Sequence, residues 1–126
     1  MEKKITHLKL RKAIKNNKKL IFTGIHQPKS LHKNMTDLEY HDSRAAIYEM
    51  YPEAKLIFKF MMELEERKTY NPTFPLSVLK RLIDQKCGED LPEGVIMATM
   101  LARGFKCNFN VKDPLFNISS ASPALL

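Results

Sequence analysis

A chain of 126 residues with 44% hydrophobic and 28% charged residues has the composition of one globular domain, which excludes a disordered chain. No apolar run approaches the roughly 18–20 residues of a membrane span, and the lysine-rich start lacks the apolar core of an export signal. The net charge of +7 is uneven: residues 1–35 hold ten Lys or Arg and one acid, whereas residues 36–126 hold eleven basic and thirteen acidic residues. This asymmetry indicates an acidic or polyanionic partner. The lack of a long apolar run predicts no membrane partner.

The N-terminal quarter is predicted to form a basic helix, a strand and a loop. Residues 3–16 suit a short helix with a thin apolar stripe and lysines over most of its remaining surface. The run 20–25 is rich in β-forming residues and predicts a strand, which we expect to pair with a C-terminal hairpin because an isolated hairpin is marginally stable. Residues 26–35 are expected to form a basic loop. The lysines are either a solvated helix face or a surface that binds phosphates.

A helix is predicted to follow this loop. Thr36 and Glu39 have the spacing of a capping box, in which each side chain bonds the backbone of the other, and the helix should run to about Met50. The Asp-Ser pair at 42–43 offers an alternative cap for a shorter helix that begins at Arg44. The sequence leaves both starts open.

Two further helices are predicted in the middle of the chain. Pro52 suits the first turn of a helix over 52–68, which has one apolar and one charged face. The proline-rich stretch 71–75 predicts an irregular connection. Residues 76–87 then form an amphipathic pattern that ends at Gly88.

The segment 90–104 is expected to be the central core helix. Asp90 and Glu93 have capping-box spacing, and Gly104 supplies the left-handed residue that commonly ends a helix. Between these ends, residues 95–102 are apolar except for one threonine, so nearly the whole circumference should be buried.

A β-hairpin is predicted directly after this helix. Apolar and polar residues alternate over 105–112, Asp113 and Pro114 are typical of a turn, and Phe116 and Ile118 continue the apolar face. The outward face then carries only basic and amide side chains.

Together these elements predict an α+β fold: a mostly helical single domain of about five helices with a short strand and a C-terminal hairpin. Their order loosely resembles winged helix-turn-helix topology, in which the early strand closes the sheet with the wing. We expect the domain to span 1–119, with the basic N-terminal segment 1–35, and a flexible tail over 120–126.

The sequence predicts neither an enzyme nor a cofactor. Four histidines and two cysteines show no metal-ligand spacing, and the four dispersed glycines form no phosphate-binding loop. Cys87 and Cys107 are interpreted as structural thiols of a cytoplasmic protein. No set of polar residues converges as a catalytic site requires.

The leading functional hypothesis is a small cytoplasmic nucleic-acid-binding protein with a regulatory role, and DNA is favoured over RNA as its ligand. Phosphate contacts should dominate, since the core helix offers no polar side chains to base edges. The alternative is a protein-binding module, an inhibitor or adaptor that docks on an acidic partner surface. The predicted nucleic-acid-binding residues are Lys9, Arg11, Lys12, Lys15, Lys18, Lys19, Lys29, Lys33, Lys106, Asn108, Asn110 and Lys112.

Overall fold

The structure of the chain, a computed structural model, describes residues 5–26 and 32–122. These residues form an α+β fold of helices with two short antiparallel strand pairs, which confirms the predicted class. In chain order the elements are α1 (His7–Asn16), β1 (Leu20–Ile21), β2 (Gly24–Ile25), α2 (Asp37–Glu49), α3 (Tyr51–Met61), α4 (Leu76–Cys87), α5 (Glu93–Arg103), β3 (Cys107–Asn108) and β4 (Leu115–Phe116).

Helix α5 is the centre of the core, as predicted. All residues from 94 to 100 are buried, and the helix packs chiefly against α1 and α3. Gly104 ends it in the left-handed region with φ of 109°. The predicted capping box at its start is wrong: the N-cap is Pro92, whose side chain has no acceptor, while Asp90 accepts a hydrogen bond from Lys80 at 2.6 Å.

The N-terminal strand folds back on itself and does not join the hairpin. Leu20 pairs with Ile25 and Ile21 with Gly24, across a tight turn at Phe22 and Thr23. The expectation of a three-stranded sheet is therefore wrong, because among residues 5–26 and 32–122 the strands form two separate pairs. The winged-helix resemblance, which needs the early strand beside the wing, is not confirmed.

The C-terminal hairpin is antiparallel, as predicted, but much shorter. Cys107 pairs with Phe116 and Asn108 with Leu115, and residues 109–114 form the connection. The Asn108 side chain accepts a hydrogen bond from the backbone N–H of Asn110 at 3.0 Å, which bends the chain away from its partner strand.

The predicted start of α2 and both predicted ends of α4 are confirmed, whereas the predicted end of α3 is wrong. The capping box of Thr36 and Glu39 is present in full, so α2 begins at the earlier of the two predicted starts. Helix α4 occupies 76–87 and ends at Gly88 with φ of 71°, as predicted. Helix α3 ends at Met61, seven residues short of the predicted end at 68.

Helix α3 stops early because the C-terminal segment takes up the backbone of the residues after it. Glu66 forms a β-bridge with Ile118, and the Arg67 N–H donates to the Asn117 carbonyl at 2.9 Å. Ser122 is fully buried; its hydroxyl accepts from the N–H of Glu65 at 2.8 Å. Residues 120–122, expected in a flexible tail, thus extend this packed segment, and 123–126 lie outside the described residues.

Candidate nucleic-acid interface

Helix α1 buries three apolar residues and exposes most of its cations, together with one apolar residue, Leu8. Leu10, Ala13 and Ile14 are buried, while Arg11, Lys12 and Lys15 are exposed. Lys18 and Lys19 are also exposed in the connection to β1, and Lys9 is half-buried. Throughout the part of the chain that the structure describes, no ion pair involves Arg11, Lys12, Lys15, Lys18 or Lys19.

The end of this basic segment is held in place by a cation that the sequence analysis missed. The Arg44 guanidinium, on α2, donates to the carbonyls of Ile14, Asn17, Lys18 and Leu20 at 2.5 to 3.1 Å. These carbonyls lie at the C-terminal end of α1 and in the turn after it, where they lack the N–H partners of a continuing α-helix. Those of Ile14 and Asn17 also accept from the N–H groups of Asn17 and Leu20. Arg44 therefore joins α1 to α2 and covers the partial negative charge at this helix end.

Aromatic side chains lie between the cations of α1, α2 and α3. The Arg11 guanidinium lies 5.1 Å from the centre of the Tyr48 ring, and the Tyr48 hydroxyl is 3.0 Å from Nδ1 of His7. The His7 ring stacks on Tyr51 with centroids 3.6 Å apart, and Lys55 Nζ lies 5.4 Å from the centre of the Tyr51 ring. Cations alternating with aromatic rings are typical of surfaces that bind nucleic acid.

A sequence signal for this surface existed. Tyr40, Arg44 and Tyr48 are spaced four residues apart, which places them in one row along α2. Arg44 lies 5.3 Å over the Tyr40 ring, and the Tyr40 hydroxyl donates to the carbonyl of Lys18. The whole row therefore faces the basic segment.

A groove separates α1 from α2. It has a volume of about 230 Å³, and its lining residues are Arg11, Ile14, Lys15, Arg44, Ala45 and Tyr48. On the other side of α1, Lys9 and Lys12 border a cavity of about 260 Å³ that also contacts Leu101 and Ala102 in the last turn of α5. The predicted α1 residues thus flank two depressions on either side of one helix.

The predicted hairpin residues lie apart from this surface. Lys112 borders a cleft of about 210 Å³ together with Thr23, His32 and Glu93, the first residue of α5. Because Leu101 lies eight residues along α5 from Glu93, the two basic sets contact points about 12 Å apart along the helix axis. Among the predicted residues, Lys9 and Lys12 therefore lie near the C-terminal end of α5, and Lys112 lies near its N-terminal end.

The hairpin set also has acidic neighbours. Burial raises the pKa of the Glu93 carboxyl, the charge of Asp113 raises it further, and Lys80 opposes this. Lys106 and Asn110 are exposed, whereas the side-chain oxygen of Asn108 accepts a hydrogen bond from the backbone N–H of Asn110. Mixed charge makes this cleft a poorer place for phosphates than α1.

The remaining predicted residues belong to the loop before α2. Lys33 is exposed in the turn 32–34, and Lys29 lies outside the described residues. The rings of His26 and His32 lie 5.6 Å apart. In the described ranges no three His, Cys, Asp or Glu side chains are grouped so that they could hold a metal ion.

The two cysteines are free, half-buried thiols. Burial raises the pKa of the Cys107 thiol to about 12. It also raises the pKa of Cys87, with a smaller contribution from the charges of Glu89 and Asp84. Both thiols are therefore protonated and weakly nucleophilic at neutral pH, in keeping with their interpretation as structural residues.

No family model, curated protein or solved structure matches the chain. Over residues 5–26 and 32–122, none of the helices combines the length and apolar character needed to cross a membrane.

Proposed function

We propose that the protein binds nucleic acid through the basic face of α1 and the connection that follows it. One observation carries the proposal. Residues 5–26 contain six Lys or Arg and no acidic residue, and five of these cations are exposed and lack an ion pair within the described chain. A solvated helix face in an ordinary globular protein interleaves both signs of charge, whereas this one carries a single sign.

The binding is electrostatic. Each cation that neutralises a phosphate releases a condensed counterion, so affinity falls as salt rises. Arg44 supports this by covering the carbonyls of Ile14, Asn17 and Lys18, whose partial negative charge would otherwise repel a phosphate beside Lys18 and Lys19.

Helix α5 cannot recognise base sequence in a groove of a duplex. Residues 94 to 100 of this helix are buried, so its side chains are not available to base edges. The proposed contacts go to phosphates, which position a protein on nucleic acid without carrying sequence information. Affinity should accordingly depend little on base sequence and strongly on salt.

The first experiment measures binding of labelled DNA and RNA across a salt series. If five phosphates are contacted, a plot of the logarithm of the association constant against the logarithm of the salt concentration should have a slope of about −4.5 for duplex DNA. The slope for a single strand should be about −3.5. We expect a variant with Lys12, Lys15, Lys18 and Lys19 changed to Gln to bind much more weakly at low salt. Its salt dependence should fall to that of about one phosphate contact.

A matched control removes the same charge elsewhere. Lys59, Lys68, Arg81 and Lys86 are exposed residues outside the basic segment 1–35, and their change to Gln gives the same net charge as the α1 variant. Equal loss in both variants would show that only net charge matters. Absence of binding by the wild-type protein at low salt would refute the proposal, and a nuclease-resistant complex with an acidic protein would then favour the alternative hypothesis.

A further inference from the structure

We infer that the groove between α1 and α2 receives an unpaired base, so that the ligand is single-stranded nucleic acid rather than a duplex. This inference rests on the proposed function and names the form of nucleic acid that the same surface would hold. It concerns the groove lined by Arg11, Ile14, Lys15, Arg44, Ala45 and Tyr48.

The groove has an apolar base and a cationic rim. Its apolar lining residues are Ile14, which is buried, and Ala45, which is exposed, and Tyr48 also lines it. Arg11 and Lys15 follow each other by one helical turn on α1 and are both exposed. Among the described residues that line the groove, none is acidic. An apolar, π-rich object with a negative charge on each side complements this arrangement.

An unpaired nucleotide is such an object. Its base presents a flat π-face that stacks on aromatic rings and on guanidinium planes, and its two flanking phosphates need cations. A base in a duplex is already stacked and paired, and a few kcal/mol are needed to extrude it. The groove therefore favours a strand whose bases are already free.

The aromatic wall is held in position before any ligand arrives. The Tyr48 hydroxyl lies 3.0 Å from Nδ1 of His7 and 3.4 Å from Nη2 of Arg11, whose guanidinium covers the ring at 5.1 Å. Arg44, one turn before Tyr48 on the same helix, is held in place by its bonds to α1. A preformed site binds with less loss of side-chain entropy than a mobile one.

The test compares labelled oligothymidine, oligouridine and a duplex as ligands of three tyrosine variants. Tyr48→Leu keeps an apolar side chain but removes the ring, and should weaken binding of a single strand about tenfold. In this variant the affinity for the duplex should stay unchanged. The salt dependence of the affinity for single-stranded DNA and RNA should also stay unchanged. Tyr48→Phe keeps the ring but loses the hydroxyl contacts to His7 and Arg11, so it should bind single strands slightly more weakly than wild type and clearly more tightly than Tyr48→Leu. Oligothymidine and oligouridine together distinguish DNA from RNA as the source of the strand.

A control and a second variant separate binding from folding. Tyr70 is 39% exposed and lies outside the groove, so Tyr70→Leu should leave single-strand affinity unchanged. Ala45 is an exposed residue of α2, so Ala45→Leu should fold normally while its longer side chain fills the groove and lowers single-strand affinity. This variant decides the question if Tyr48→Leu fails to fold.

The outcomes distinguish this inference from the proposed function. Equal affinity for single strand and duplex, unaffected by Ala45→Leu, would overturn the inference and leave electrostatic binding by α1 intact. Failure of all three ligands to bind at low salt would overturn both. A single-strand preference that is lost in Tyr48→Leu and Ala45→Leu but kept in Tyr48→Phe and Tyr70→Leu would support it.

Discussion

At Gly94 the backbone of the core helix packs directly against the backbone of the N-terminal region. Its N–H donates to the carbonyl of Phe22 at 3.0 Å, inside the turn between β1 and β2. A Cβ at this position would lie 1.9 Å from the carbonyl oxygen of Ile21 and 2.6 Å from that of Phe22. Both obstacles are backbone atoms, which cannot rotate away. Glycine is required here by space, not by a left-handed conformation.

Changing Gly94 to Ala should destabilise the protein by about 3 kcal/mol or more, because overpacking and the loss of a backbone hydrogen bond exceed the gain of about 1 kcal/mol in helix propensity. Gly88→Ala is the matched control: no atom lies within 4 Å of its added Cβ, and only the left-handed backbone opposes the change, at about 1–2 kcal/mol. Urea denaturation measures both. A Gly94→Ala protein as stable as Gly88→Ala would contradict the close packing.

Helix α1 is an element whose orientation depends on one side chain of another element. It is ten residues long, which is too short to be stable alone, so its position must come from tertiary contacts. Three buried apolar residues supply one part, and the guanidinium of Arg44 supplies the other by binding four carbonyls at the helix end and beyond. The basic surface and the groove both depend on this joint.

Changing Arg44 to Lys should loosen this joint while keeping the charge. A lysine ammonium has three donors at one point and cannot reproduce the planar fork of arginine, so stability should fall by about 2 kcal/mol. Amide hydrogen exchange in α1 should be faster in the variant than in the wild-type protein, and the increase should be larger in α1 than in α4. Arg81→Lys, an exposed position on α4, is the control and should change stability by less than about 0.5 kcal/mol. Unchanged exchange in α1 would show that the apolar contacts suffice.

Prediction of the elements succeeded where the signal lies within the element. The bounds of α4 follow from its apolar pattern and from Gly88, and the start of α2 follows from the reciprocal bonds of Thr36 and Glu39. Prediction failed for the end of α3, whose sequence continues to look helical. There the backbone of 65–71 is taken by the C-terminal segment, a partner more than forty residues away.

At the scale of the whole molecule, the C-terminal segment closes the fold. Ile118 is fully buried, and its carbonyl accepts from the side chain of Asn71 at 2.8 Å. Ser119 donates its N–H to the carbonyl of Glu65, and Ser122 binds both Ser119 and Glu65. The segment 117–122 thus packs against the connection between α3 and α4 and supplies its hydrogen-bond partners.

Ser122→Ala should destabilise the molecule by about 1–3 kcal/mol, because the change leaves the N–H of Glu65 without its acceptor beside a buried position. Ser120 is exposed and accepts one hydrogen bond from Asn71, whose amide also reaches the Ile118 carbonyl. Ser120→Ala is therefore the control, with an expected loss below about 1 kcal/mol. Thermal unfolding monitored by circular dichroism compares the two. Equal melting temperatures for both variants and wild type would show that the segment adds nothing to stability.

The sequence by itself determined the helical content, most helix ends, the burial of α5 and the concentration of positive charge before residue 36. These properties depend on local spacing and composition, which one chain displays directly. Only the tertiary structure decided that β1 pairs with β2, that α3 ends at Met61, and that Arg44 and Tyr48 of α2 face the lysines of α1. Each of these depends on which of several chemically similar segments, distant in the sequence, pack together. A local sequence pattern does not show which of these long-range contacts is the most stable.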